Sequence, residues 1–254
     1  MRGIYGMALA GVIAAVGIGV VLTWIAKARV DLDREYSKNN LRELGQFAAL
    51  HAVPPKDPPP GGVPTSIPAG TIPNPSLPPD SRLSWVVDLL PNLDQRRQPT
   101  GELVASMDRL AAWPPRPNRN PAQTVLVGLV CPGNRPEVAP GSPGLTQYVG
   151  MAGIEPNAAT LGLGPPIPDR AGCFRYDAPT PFADVLDGTS TTVLFAETNR
   201  DLGPWIRGGP GTVRGLDVSP TAVPAIGPGG QFGGIHPGGG LFGMADGSVR
   251  FLVD

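Results

Sequence analysis

The amino-acid sequence predicts an α+β protein, a long N-terminal membrane-spanning helix packed on an antiparallel β-sheet, with Pro/Gly-rich loops between the elements. Three observations carry this. Residues 4–26 contain no charge and no proline. Past Pro121 the pattern changes to short apolar runs separated by turn residues. Finally, 35 Gly and 33 Pro among 254 residues are about twice the ordinary share, which excludes a helical bundle or a doubly wound enzyme. A formal net charge of -1 leaves no overall basic footprint, so nucleic acid is not an expected partner.

The segment 4–26 is bounded by Arg2 and by Lys27 and Arg29. As a helix it is ~34 Å long, enough to cross a hydrocarbon core of ~30 Å. It is longer than the ~7 to 15 residues of a signal-peptide core, which favours an uncleaved anchor in the lipid bilayer. Beyond it Leu41, Leu44, Ala48 and His51 recur at helical spacing with charges elsewhere on the surface. No proline interrupts the chain before Pro54. Residues 1–52 are therefore expected to form one helix running from the bilayer into the soluble domain.

Residues 53–81 read as a Pro-rich linker or loop, since Val53 to Asp80 holds eleven prolines and three glycines. Residues 82–254 follow as an α+β domain. A short helix is expected near 82–90, stopped by Pro91. A second one opens at Thr100 and Glu102, with Leu103, Met107, Leu110 and Ala111 as its apolar face up to Pro114. Strands are expected at 124–130, 148–154, 174–176, 191–196, 240–245 and 249–253. Asp187-Gly188 and Asp246-Gly247 supply turns, because glycine accepts the positive φ that a tight turn demands.

Compartment is argued from two sides. Lys27, Arg29, Arg34 and Lys38 outnumber Arg2, which by the positive-inside rule favours a cytoplasmic domain. Cys131 and Cys173, the only cysteines and both in loop-like surroundings, read instead as one disulfide in an oxidising compartment. The weight given to that pair places the large domain outside the cytoplasm, on the periplasmic side of a single-pass cell-membrane protein.

Chemistry is sparse. Ser190, His236 and Asp246 offer the residue types of a hydrolase triad, but Ser190 lies in Asp-Gly-Thr-Ser-Thr and not in a nucleophile elbow. Asp184, Asp187, Glu197 and Asp246 are oxygen ligands near turns and are the candidates for calcium. Trp85, Trp113 and Trp205 are the candidates for a carbohydrate platform. With two histidines and no Cys-x-x-Cys pair, structural zinc is not expected, and no cofactor is called for.

Several blocks taken together carry a resemblance. They are Arg82-Leu83-Ser84-Trp85 continuing to Leu89-Leu90-Pro91-Asn92-Leu93-Asp94-Gln95; Leu129-Val130-Cys131-Pro132 followed by Tyr148-Val149-Gly150; Asp187-Gly188-Thr189-Ser190 with Glu197; and His236-Pro237-Gly238-Gly239 with Asp246-Gly247-Ser248-Val249-Arg250-Phe251. The chain resembles a large bacterial pseudopilin-like family of unknown function marked by a His, nine residues and Asp-Gly, here His236, Asp246 and Gly247. The resemblance implies a pilin-like arrangement, a prepilin-type N-terminal helix carrying an exported domain, related to type II secretion or to pilus-type filament assembly. A prepilin peptidase site would place Glu five residues after Gly3, where this chain has Ala8, so an uncleaved anchor fits better.

The expected function is thus a non-enzymatic, membrane-anchored structural or interaction protein that self-associates, or meets pseudopilin partners, through its N-terminal helix. The alternative is a tethered extracytoplasmic binding module for calcium or carbohydrate, and after it a tethered hydrolase. The His236–Asp246 segment is expected to be a structural hairpin near the end of the sheet.

Overall fold

A computed structural model describes the backbone of residues 2–50, with side chains for 14–48, and residues 66–93, 100–161 and 169–254 in full. Helix α1 is unbroken over Arg2–Leu50, 49 residues, as the absence of internal proline requires. Its C-terminal third is built into the domain: Leu41, Leu44 and Ala48 are fully buried, so burial and not propensity fixes this half of the rod. Among the described residues no helix is long and apolar enough to cross a membrane. The side chains of residues 4–13, nearly half of the expected span, lie outside them.

Of the expected linker, residues 53–65 lie outside the described residues. Residues 66–81 pack into the domain. Strand β1 (Ser66–Ile67) pairs with β3 (Thr180–Pro181), and Ile67, Thr71 and Ile72 are buried. Helix α2 (Trp85–Leu89) opens on Ser84, whose hydroxyl accepts from the Val86 amide. Helix α3 (Gly101–Ala105) is shorter than its apolar spacing suggests. The buried Asn118 side chain accepts from the Asp108 amide and donates to the Asp108 carbonyl, fixing a loop where the helix would have continued; Leu110 is left exposed. Helix α4 (Arg119–Ala122) is a single turn.

The main sheet has five strands: β2 (Tyr148–Ile154), β4 (Val193–Glu197), β5 (Val213–Leu216), β6 (Gly239–Met244) and β7 (Val249–Val253). Their spatial order is β5-β2-β4-β6-β7. The expectation of an antiparallel sheet needs correcting, because β5 lies parallel to β2 and the sheet is mixed. The run 124–130 is not a strand but a loop with a 3-10 turn at Val127–Leu129. Residues 174–176 form no strand of their own either, although the Phe174 amide donates to the Met151 carbonyl.

The sheet alternates as its pleat dictates. One face carries Phe195 and Leu241 toward α1 and the main core, where Trp85, Phe174 and Phe195 stack with centroids 5.0–5.5 Å apart. The other face carries Val149, Ala196 and Phe242 against Phe232. Glycine lets α1 sit close: a Cβ at Gly45 would lie 3.2 Å from the Gly247 Cα.

Cys131 and Cys173 are both buried free thiols, which corrects the expected disulfide. They flank opposite ends of β2. The Cys131 amide donates to Gln147 Oε1, just before the strand, while the Gly172 amide donates to the Ala152 carbonyl near its end. About five residues of strand separate those anchor points, roughly 16 Å, far beyond the Cα spacing of about 7 Å that a disulfide tolerates.

Candidate functional site under the N-terminal helix

A cluster of buried polar side chains lies where α1 meets the sheet. Three local facts assemble it. The β2–β4 register sets Tyr148 opposite Glu197, so both side chains emerge on the α1 face. The stripe of α1 that descends to Leu41 and Leu44 passes first through Ser37 and Asn40, both buried. The loop entering β6 brings in His236, because the Gly233 amide donates to the Glu197 carbonyl at 2.6 Å. Gly233 must be glycine there: its φ is +76°, and a Cβ would stand 2.9 Å from the Gly239 carbonyl oxygen.

Glu197 is wholly buried and His236 is 3% exposed. His236 Nε2 lies 3.2 Å from Glu197 Oε1. Neither atom completes a well-aligned hydrogen bond, so the two meet as a close polar contact. The second carboxylate oxygen accepts from the Leu241 amide at 3.2 Å. Asn40 Nδ2 donates to the Val130 carbonyl at 3.3 Å and meets the Tyr148 hydroxyl at 3.4 Å. Arg34 donates to the Pro237 carbonyl and sits 4.3 Å from the Phe251 ring centroid.

Burial raises the Tyr148 hydroxyl well above the ordinary phenol range, with the Glu197 charge adding to the effect and Ser37 and Asn40 opposing it. Burial also raises the Cys131 thiol, which Ser37 and the Gly133 amide partly offset. Both groups are therefore neutral, donor-capable fittings of the joint. A buried thiol of this kind is a poor nucleophile.

The motif residues do not meet. Gly247 takes φ +81° in the β6–β7 turn, and the Asp246 carboxylate accepts from the Ser248 amide at 2.8 Å. Those hydrogen bonds hold the Asp246 carboxyl below the usual range. His236 precedes the other end of β6, about 20 Å away along the strand. Ser190 is exposed, next to Thr189, whose carbonyl accepts from the Asp246 amide. Of the oxygen ligands weighed for calcium, Asp184 and Asp187 line one cleft, Glu197 is in the joint and Asp246 is at the turn. Among the described residues no group of three or more His, Cys, Asp or Glu is placed to hold a metal.

The tryptophans are structural. Trp85 and Trp205 are fully buried, their indoles donating to the carbonyls of Thr212 and Thr124. Trp113 donates to the Asp80 carbonyl and lies 5.9 Å from the Arg207 guanidinium. Sequence reasoning missed Ser37, Asn40 and Tyr148. The available signal was two short polar residues in line with an otherwise apolar helical stripe.

No curated protein and no solved structure matches the chain. Residues 34–223 match the family described as protein of unknown function (DUF1559), a span that holds Ser37, Asn40, Cys131, Tyr148 and Glu197 and ends before His236. Three quarters of the sequence lies in that match, and the chain belongs to the DUF1559 family.

Proposed function

We propose that this protein is a non-enzymatic, membrane-anchored structural or interaction protein of pseudopilin type, linked to type II secretion or pilus-type assembly, in which α1 is the element of attachment. One observation carries the reading. Val16, Ile18, Val20, Val21, Leu22 and Trp24 are all more than half exposed on a helix whose other end is locked into the domain. Soluble surfaces rarely carry so continuous an apolar run, and lipid or a neighbouring helix would relieve it. The joint supports the same reading, since its polar groups hold the rod to the sheet and leave it no hinge. The extracytoplasmic placement of the domain now rests on the resemblance to exported pseudopilins, because the disulfide that argued for it does not form.

Flotation of the full chain with phospholipid vesicles tests the proposal. The native chain should float. Val20→Asp with Leu22→Asp should leave it in the soluble fraction with an unchanged melting temperature, since neither residue touches the core. Equal flotation of both forms, or none of either, would refute the anchor.

A further inference from the structure

A cleft lined by the segments 169–175 and 180–192 has the makings of a ligand site. It occupies about 300 Å³, at the small end of ligand pockets. Cys173, Arg175, Thr180, Asp184, Asp187 and Thr192 are among its walls.

Arg175 is the unusual member. It is 2% exposed, and its Nη2 donates to the Pro179 carbonyl at 3.2 Å and to Thr180 Oγ1 at 3.0 Å. Its Nε is buried with no hydrogen-bond partner. Thr180 is itself held in place by donating to the Cys173 carbonyl at 2.7 Å. No carboxylate among the described residues forms an ion pair with this guanidinium; Asp184 acts on it only through space. Burying an unpaired cation is costly, and a site that does so is short of an anion. Burial accordingly lowers the Arg175 pKa, against the pull of Asp184 and Cys173.

The rim carries the opposite charge. Asp184 is half-buried and Asp187 exposed, and among the described residues neither forms an ion pair. A simple anion would satisfy Arg175 but meet repulsion from the two aspartates, and a simple cation would do the reverse. A molecule with an ammonium and a carboxylate on the same carbon satisfies each wall.

We propose that this cleft binds a small zwitterion of the α-amino carboxylate class, its carboxylate toward Arg175 and Thr180 and its ammonium toward Asp184 and Asp187. Binding is non-covalent, and the unspent Nε–H of Arg175 offers a carboxylate a single charge-assisted hydrogen bond. Leu186, 84% exposed beside the cleft, offers apolar contact to a ligand side chain. The site is independent of the anchoring role of α1.

Thermal shift and calorimetry on the full chain test this, with the proteinogenic L-amino acids as probes and acetate, methylamine, inorganic phosphate and calcium chloride as controls. At least one amino acid should raise the melting temperature saturably, while acetate and methylamine, each carrying one of the two charges, should not at the same concentration. Asp184→Asn with Asp187→Asn should weaken that amino acid at least tenfold without lowering the unliganded melting temperature. Arg175→Lys should weaken it as well, and the aspartate variant keeps the test decisive where the lysine variant fails to fold. Three outcomes overturn the proposal: no amino acid binds; acetate or phosphate binds as well as any amino acid does; or calcium binds in a manner that needs both aspartates.

Discussion

Nε2 of His236 stands 3.2 Å from Oε1 of Glu197 in a joint closed to solvent, joining the loop before β6 to the end of β4. The pair is buried on both sides, so removing one partner strands the other away from water. His236→Ala is expected to destabilise the fold by about 3 kcal/mol, and Glu197→Ala by a similar amount, because breaking a buried pair costs more than replacing both members. Urea unfolding of the two single variants and of His236→Leu with Glu197→Leu checks this. The double variant should lose less than the sum of the two, and simple additivity would show that the pair is not coupled.

Gly150 makes room for the aromatic core. A Cβ there would lie 2.6 Å from Cδ2 of Phe174, the ring that stacks on Trp85 and Phe195. Gly150→Val should therefore lower stability by roughly 1–3 kcal/mol through overpacking, despite the better strand propensity of valine. Its near-ultraviolet dichroism, which reports the Trp85 environment, should change along with the melting temperature.

Ser84 serves two elements at once. Its hydroxyl accepts from the Val86 amide at the start of α2 and donates to the Trp205 carbonyl at 2.5 Å. Ser84→Ala should cost about 2 kcal/mol, the sum of a lost N-cap and a buried carbonyl left without its donor. Chemical denaturation measures it, and a loss of only a few tenths would mean that water replaces the hydroxyl.

Stability should fall steeply in alkali. Burial pushes the Cys173 thiol from 9.0 up to about 12 and the Tyr176 hydroxyl from 10.0 up to about 12. Tyr148 is raised further, mainly by burial. Above pH 9.0 the unfolded chain gives up the Cys173 proton while the folded chain keeps it, so the contribution of that thiol is complete below pH 9 and is lost as pH climbs toward 12. The slope approaches about 1.4 kcal/mol per pH unit for each group. Melting temperatures between pH 7 and pH 11.5 check the sign, and Cys173→Ala should flatten the onset. Ellman titration of unfolded, unreduced protein should find two thiols, as the free Cys131 and Cys173 require.

Elements governed by local chemistry were legible in the sequence. The absence of internal proline before Pro54 gave α1, and short apolar runs bounded by turn residues gave β2, β6 and β7 nearly residue for residue. What depended on partners distant in sequence was not. Strand β5 is Val213-Arg214-Gly215-Leu216, too short and mixed to announce itself, and it exists because β2 offers an edge parallel to it. The apolar residues of 124–130 look like a strand but are spent filling the core, with Leu126 and Leu129 buried and the neighbouring Cys131 amide bound by the Gln147 side chain. Sequence spacing leaves His236 a carboxylate partner either at the Asp246 turn or on an adjacent strand. The extended β6 carries His236 and Asp246 apart, and strand order supplies Glu197 in Asp246's place. The cysteines show the same limit, since a residue count says nothing about which end of a strand each thiol will occupy.

The unbroken course of α1 has a mechanical meaning. Residues 2–30 project about 43 Å beyond the part of the rod seated on the sheet. With no proline or loop to absorb a bend, a tilt of about 5° at the seat would swing the far tip by about 4 Å. Leverage also works in reverse, so a sideways load at the tip arrives at the seat multiplied, on Arg34, Ser37 and Asn40 before it reaches the apolar packing of Leu41 and Leu44. Those three polar side chains are the fulcrum through which whatever grips the tip can twist the sheet.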